Sequence, residues 1–191
     1  MSAPKAAARK PRADSERNRR LLLETAKAAF AQKGAEVSLD EIARAAGVGI
    51  GTLYRHFPTR EALLQDVYRD ETERLFASAE KLAETLPPVE ALRKWMRHFL
   101  QYFATKQMVL EALTAMVGPD AKLHGASGAQ VEGAITLLVR NAEKSGALKF
   151  DIAPLDLLRA VIGVSTAGAL PGWEKAAYKV IDILIEGARV K

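Results

Sequence analysis

The 191-residue sequence predicts an all-α protein with about nine helices. Apolar residues recur at spacings of three and four along most of the chain, which is the period of helices with one buried face. Glycine and proline interrupt this pattern where helices end. No segment has the alternating apolar pattern of a strand. We predict a disordered basic arm at 1–14, a three-helix domain at 15–62 and a larger helical domain at 63–191.

The first helix follows the basic arm. The arm contains prolines and alanines but no periodic apolar face, so it is predicted to be disordered. Arginines cluster at the start of the helix, from Arg17 onward. The helix is predicted to bury Leu22, Ala26, Ala29 and Phe30 and to end at Lys33, before a glycine.

Two short helices joined by a tight turn are predicted next, ending at Phe57. Ser38 and Glu41 form a capping box, so the first of these helices starts after Ser38. Gly47 supplies the left-handed backbone that ends a helix. In the second helix Leu53 and Phe57 lie one turn apart and face the core. The pattern is that of a helix-turn-helix.

The outer face of the second short helix combines hydrogen-bond donors with a small residue and has no carboxylate. Its members are Gly51, Thr52, Tyr54, Arg55 and His56. Such a face suits the DNA major groove, where phosphates accept hydrogen bonds on both walls and an arginine can bond a guanine edge twice. A solvated helix of an ordinary bundle is the alternative that these residues alone leave open.

Positive charge is concentrated in the same region. Residues 1–60 contain twelve Lys and Arg against six Asp and Glu, whereas 61–191 contain sixteen against seventeen. This asymmetry indicates a module that meets a polyanion, joined to one that does not. Arg17 is predicted to face the DNA backbone. The arm at 1–14 is either an inert tail or a segment that reaches phosphates or an adjacent minor groove.

The segment GVGIGTLYRHFPTREAL at 47–63 resembles the signature of the tetracycline-repressor (TetR) family of bacterial regulators, and the resemblance extends to the helix at 22–34. It implies an all-helical homodimer that binds a palindromic operator through its N-terminal helices and a small ligand through its C-terminal domain. The positions that match the family's DNA contacts are Ser38, Gly51, Thr52, Tyr54, Arg55, His56 and Arg60. Gly49-Ile50 replaces the Ser-Lys of many members, so one capping hydroxyl and one basic contact are missing.

The fourth helix, capped by Thr59, is predicted to link the two domains and to transmit a ligand-induced shift to the recognition helix. Two helices follow, at 88–106 and from Met108 to Val117, then a mobile loop at 118–128 and a helix at about 130–144. Their aromatic and methionine stripe is either plain core or the lining of a ligand pocket. The predicted pocket residues are Trp95, Phe99, Tyr102, Phe103, Met108, Leu113, Met116 and Leu138.

The last two helices, after Pro154, are too apolar for the surface of a monomer. In the final helix the polar residues form one narrow stripe, made of Lys179, Asp182, Glu186 and Arg189. Two such helices from each of two chains would form a four-helix interface about a two-fold axis. The predicted interface residues are Leu158, Ile162, Thr166, Ile181, Leu184 and Ile185. Such a dimer would hold its recognition helices roughly 34 Å apart, one turn of DNA.

Composition argues against an enzyme and against a membrane protein. The chain has no cysteine, and His56, His98 and His124 lack metal-ligand spacing, so no metal or cofactor is expected. No apolar run approaches the roughly 20 residues of a membrane span, and no secretory segment is seen, so we expect a cytoplasmic protein. We predict a dimeric repressor that a small, mostly apolar or aromatic inducer releases from its operator. The alternatives are a constitutive or activating DNA binder without ligand control and a helical protein-interaction module.

Overall fold

Eight α-helices form the regular structure in the computed structural model, which describes residues 9–123, 128–166 and 172–190. They are α1 (Arg9–Lys33), α2 (Leu39–Ala45), α3 (Ile50–His56), α4 (Arg60–Thr85), α5 (Pro88–Val117), α6 (Gly128–Lys144), α7 (Pro154–Thr166) and α8 (Trp173–Gly187). One turn of 3-10 helix, Gly34–Glu36, follows α1. Over these ranges extended pairing is limited to an antiparallel bridge between Leu148 and Arg189. The predicted all-α fold is confirmed.

The helices group into two compact units. Unit 1 contains the described residues in 9–70 and 105–123, and unit 2 contains those in 71–104, 128–166 and 172–190. The boundary between the two units lies inside α4, after residue 70, whereas the division was predicted after residue 62. The C-terminal part of α5 belongs to unit 1. Apolar periodicity could not predict this return of the chain, because α5 has the same helical pattern on both sides of the division.

The core of unit 1 fixes the orientation of the helix-turn-helix. Leu22, Ala26 and Phe30 lie on one face of α1 and are at most 1% exposed. Leu53 of α3 and Phe57 directly after it are fully buried. Because α1, α2 and α3 pack against one another around these side chains, the opposite side of α3 faces outward.

The core of unit 2 surrounds Trp95 of α5, which is fully buried. The indole Nε1 donates a hydrogen bond to the carbonyl oxygen of Leu75 at 3.1 Å, and the ring stacks on Phe99 with centroids 5.9 Å apart. The buried tryptophan therefore has both a polar partner and an aromatic one. Helices α6, α7 and α8 add buried aliphatic side chains, including Ile135, Leu157 and Ile181.

The polar stripe of α8 pairs with arginines of α5. Arg97 Nη2 donates to both carboxylate oxygens of Asp182, at 3.0 and 3.1 Å, and its guanidinium lies 5.3 Å from the ring centroid of Tyr178. Arg93 lies 3.1 Å from Asp182 and 3.2 Å from Glu186. Asp182 and Glu186 of the stripe thus join two helices of unit 2.

Three predicted helix boundaries are corrected. Helix α1 begins at Arg9, not near Arg17, because Pro11 lies in its first turn, where a missing N–H breaks no hydrogen bond. Residues 1–8 of the predicted arm lie outside the described residues. Helix α5 is continuous from Pro88 to Val117, because 104–109 contains no glycine or proline to separate the two helices predicted there. Helix α6 starts at Gly128, inside the predicted loop, whose residues 124–127 are not described.

Candidate nucleic-acid interface

The start of α2 is held by a reciprocal capping box. The backbone N–H of Glu41 donates to Ser38 Oγ at 3.1 Å, and the backbone N–H of Ser38 donates to Glu41 Oε2 at 3.0 Å. Lys33 Nζ lies 3.0 Å from Glu41 Oε1. The pKa of Glu41 is lowered, first by the hydrogen bond from Ser38 and then by Lys33. The predicted cap is confirmed, and the exposed Ser38 is fixed at the point where α2 begins.

The turn between α2 and α3 is a Schellman motif. Gly47 has φ +68°, its N–H donates to Arg44 O at 3.1 Å, and Val48 N–H donates to Ala43 O at 3.0 Å. These bonds satisfy carbonyls at the end of α2 and fix the direction in which the chain leaves it. Helix α3 then starts after Gly49, which makes no side-chain capping bond. The position of α3 therefore depends on the turn and on its buried side.

The predicted outer face of α3 is accessible to solvent, although its residues differ in how much of their surface is exposed. Gly51, Tyr54 and Arg55 are exposed, Tyr54 to 49%, while Thr52 and His56 are half-buried at the edges. Arg55 Nε donates to Gly51 O at 3.2 Å, which leaves both terminal nitrogens for a bidentate contact. No residue of α3 is acidic. The face can therefore donate several hydrogen bonds to an anionic partner without a repelling charge of its own.

Arg60, which the family resemblance places at the DNA, has its contacts inside unit 1. Its guanidinium donates to the carbonyl oxygen of Val37 and lies 4.9 Å from the ring centroid of Phe30. Burial lowers the pKa of this group, and the charge of Glu36 partly offsets the effect. Thr59 caps α4 as predicted, with Ala62 N–H donating to its Oγ1 at 3.0 Å. Arg60 thus joins the start of α4 to the end of α1 and to the residue before the cap of α2.

Arg17 and Arg19, both within α1, differ in their surroundings. Arg17 is exposed, as a residue that faces the DNA backbone must be. Arg19 instead pairs with Asp66 of α4 at 2.6 Å and lies 5.6 Å from the ring centroid of Phe57. Asp66 also pairs with Arg69 at 2.5 Å. Arg19 therefore supports the buried side of the helix-turn-helix, a role that no local sequence signal indicates because its partner is 47 residues away.

The predicted pocket residues do not all belong to one unit. Trp95, Phe99, Tyr102, Phe103 and Leu138 belong to unit 2, where all but the half-buried Phe103 are buried. Met108, Leu113 and Met116 belong to unit 1, where Leu113 is buried and Met116 is 43% exposed. An open depression runs along α6 beside Gly133, Leu137 and Arg140, and none of the predicted residues lines it. The buried residues make the contacts of a packed core.

The predicted dimer residues divide into buried and partly exposed ones. Leu158, Ile181 and Ile185 are at most 1% exposed in the single chain, so they have no surface left for a second chain. Ile162 and Leu184 are half-buried, and the side chain of Thr166 lies outside the described residues. Ile183 of α8, which was not among the predicted contacts, is 67% exposed. The accessible apolar surface of α8 is therefore centred on Ile183.

The described residues contain no group of three His, Asp or Glu side chains arranged to hold a metal ion. His98 Nδ1 lies 3.3 Å from Ser78 Oγ, and burial followed by the charge of Lys94 lowers the pKa of its imidazole. His124 lies outside the described residues. Over those same ranges, no helix has both the length and the apolar composition to cross a membrane.

Family models match both parts of the chain. Residues 22–67 match the model described as bacterial regulatory proteins, tetR family. Residues 87–190 match the model described as transcriptional regulator SbtR-like, C-terminal domain. The first match contains α2, α3 and the turn between them, so the family's N-terminal domain coincides with the donor-bearing face described above.

Solved structures and a curated relative agree with these matches. A TetR transcriptional regulator from Streptomyces coelicolor is 38% identical with a TM-score of 0.79, over 90% of this chain and 98% of that one. A TetR regulatory protein from Mycobacterium vanbaalenii is 32% identical with a TM-score of 0.72, over 94% and 99%. The regulator EthR of Mycolicibacterium smegmatis is 31% identical over 133 residues, which is 66% of this chain and 60% of EthR.

Proposed function

Because the chain belongs to the TetR family of bacterial transcriptional regulators, we propose that it is a dimeric repressor that binds a palindromic operator and is released by a small-molecule inducer. The observation that carries the proposal is the outer face of α3. Leu53 and Phe57 are buried behind it, while Tyr54 and Arg55 are exposed on a helix without acidic residues. Regulators of this family are not enzymes.

The DNA contacts follow from the chemistry of that face. Tyr54 and His56 supply single donors suited to phosphate oxygens, which position a protein on DNA without reading its sequence. Arg55 can offer two terminal nitrogens to the O6 and N7 acceptors of a guanine. Arg17 and Ser38, both exposed, are suited to further phosphate contacts. The protein acts where the operator is, so we place it in the cytoplasm.

Dimerisation is supported by the apolar surface of α8. Ile183 is 67% exposed, and half-buried Leu184 follows it. A two-fold axis would place this surface against its own copy and would match a palindromic operator, whose half-sites lie roughly 34 Å apart.

Ligand control is supported by the family, in which ligand binding and repression are typical. Phe103 of unit 2 is only half-buried, so its side chain retains surface for an apolar or aromatic molecule. If the inducer binds free protein better than the operator complex, the inducer weakens operator binding by the same factor. The alternative, a constitutive or activating regulator without small-molecule control, predicts no such coupling.

One selection followed by one variant series tests the proposal. Selecting duplexes from a random pool is expected to yield a palindrome with half-sites one helical turn apart. Tyr54→Ala is expected to weaken binding to all sequences alike, whereas Arg55→Ala should relax the preference at one base pair, worth about 1–3 kcal/mol. Tyr54→Phe is the matched control, since it removes only the hydroxyl. Unchanged operator affinity of Tyr54→Ala would contradict the assignment of this face.

Ligand control needs a separate test. A metabolite library is screened by thermal shift, because a ligand that binds only the folded protein raises its apparent stability. Each hit is then titrated into the operator complex. Release of the operator supports an inducer, whereas tighter operator binding identifies a corepressor. Hits that leave operator affinity unchanged favour constitutive binding.

A further inference from the structure

The outer face of α3 contains one aliphatic side chain among its donors. Ile50 is 37% exposed, and Tyr54, one turn further along the same side, is 49% exposed. Gly49 and Gly51 flank Ile50, and a Cβ atom built on either glycine would meet nothing within 4 Å. A single exposed aliphatic residue is ordinary on a protein surface. At this position, however, it lies on the side that the proposed function turns toward DNA.

Resting on that proposed function, we infer that Ile50 is a specificity-determining residue that packs on the 5-methyl group of a thymine in the operator. An isoleucine side chain has no donor or acceptor, so it cannot replace the water that solvates a phosphate or a polar base edge. The thymine methyl is the apolar group that a base presents in the major groove. Contact with it removes apolar surface from water on both partners.

The neighbouring residues make this contact accessible. Because Gly49 and Gly51 lack side chains, the backbone beside Ile50 can approach the floor of the groove without a shielding neighbour. The excess of basic over acidic residues in 1–60 favours a polyanionic partner over another apolar protein surface. The same charge, however, does not select a base. Ile50 would therefore add sequence preference to an affinity that other residues supply.

The test compares thymine with deoxyuridine, which lacks only the 5-methyl group. The full-length wild-type protein first selects its operator from a random pool, and each thymine of the half-site is then replaced in turn by deoxyuridine. At one position we expect roughly a fourfold loss of affinity by fluorescence anisotropy, the value for returning one methyl-sized group to water. Ile50→Ala should bind both operators equally at that position and should lose the thymine preference there in a repeated selection.

The control is Ile152→Ala, which makes the same change at an exposed residue of unit 2 that is 49% accessible. This variant should keep the fourfold difference. Circular dichroism and the midpoint of thermal unfolding establish that Ile50→Ala is folded. Ile50→Val, which loses one methyl group and keeps the branch at Cβ, should retain part of the difference.

Two results would overturn the inference. One is a wild-type protein that binds every deoxyuridine operator as tightly as the thymine operator. The other is an Ile50→Ala protein that keeps the full deoxyuridine penalty, since another residue would then contact the methyl. Both leave a sequence-selective DNA-binding protein intact. Failure of the wild type to select any duplex would instead overturn the proposed function, so the two failures are distinguishable.

Discussion

Replacing Arg60 by methionine tests whether this side chain stabilises unit 1 or contacts DNA. The resemblance to the TetR family implies a DNA contact at this position. In the structure, however, the guanidinium donates to Val37 O and lies 4.9 Å from the ring centroid of Phe30. We expect Arg60→Met to lower the stability of unit 1 and to leave the number of phosphate contacts unchanged.

The expected loss of stability comes from two contacts. A cation–π contact at a partly exposed site is worth about 0.5–1 kcal/mol. A hydrogen bond from a charged donor is worth about 1.5–3 kcal/mol, which solvent screening reduces for a half-exposed group such as Arg60. Methionine keeps an apolar contact with Phe30. The sum for Arg60→Met is therefore about 1–2 kcal/mol in the free energy of unfolding.

Salt dependence separates the two roles at the DNA. Each phosphate contact contributes about 0.9 to the slope of log K against log salt concentration. If Arg60 only positions its neighbours, Arg60→Met weakens operator binding at every salt concentration and leaves the slope unchanged. If Arg60 contacts a phosphate, the Arg60→Met variant should have a slope that is smaller in magnitude by about 0.9 for each chain.

The assay is a set of anisotropy titrations of labelled operator at several salt concentrations, with urea unfolding of the same preparations. Arg17→Met is the matched control, because Arg17 of α1 is exposed. It should lower the slope by about 0.9 per chain and leave stability unchanged. An Arg60→Met protein with wild-type stability and a reduced slope would refute the positioning role.

Two further predictions concern the helix-turn-helix itself. Gly47→Ala should lower the free energy of unfolding by about 1–2 kcal/mol in urea, because Gly47 has φ +68°, a backbone conformation that strains alanine. The new Cβ would meet no atom within 4 Å, so backbone strain is the only cost. An unchanged unfolding midpoint would contradict this. The lowered pKa of Glu41 predicts a stabilisation that is present above its ordinary pKa of 4.5 and is lost as the pH falls below that value. Wild type should therefore exceed Glu41→Gln in urea midpoint at pH 7, and the difference should shrink by pH 3.

The helix-turn-helix could be predicted from sequence because its determinants are local. The Ser38 cap, the left-handed Gly47 and the buried pair Leu53 and Phe57 each depend on residues within a few positions of one another. Burial of one side of a seven-residue helix then leaves the other side exposed. The donor-bearing face thus follows from short-range rules together with a single core.

Contacts between distant parts of the chain could not be predicted in this way. The pairs Arg19–Asp66 and Arg97–Asp182 join residues 47 and 85 positions apart. A charged residue on a helix has the same pattern whether it meets solvent or an arginine of another helix. For the same reason, the predicted dimer residue Ile181 and the exposed Ile183 could not be told apart, since both lie in one apolar run whose inward side depends on packing against α7.

The charge of the N-terminal region therefore overstates what DNA can meet. At least four of the twelve Lys and Arg residues in 1–60 have partners within unit 1. They are Arg19, Lys33, Arg44 and Arg60. Arg17, Arg20 and Arg55 are exposed. Because counterion release counts phosphate contacts and not net charge, the salt slope of operator binding should follow Arg17, Arg20 and Arg55 and not the total positive charge of 1–60. Of the paired ones, Arg19 contacts Asp66 and Phe57, and Arg60 contacts Val37 and Phe30, so these two support the core of unit 1 behind α3.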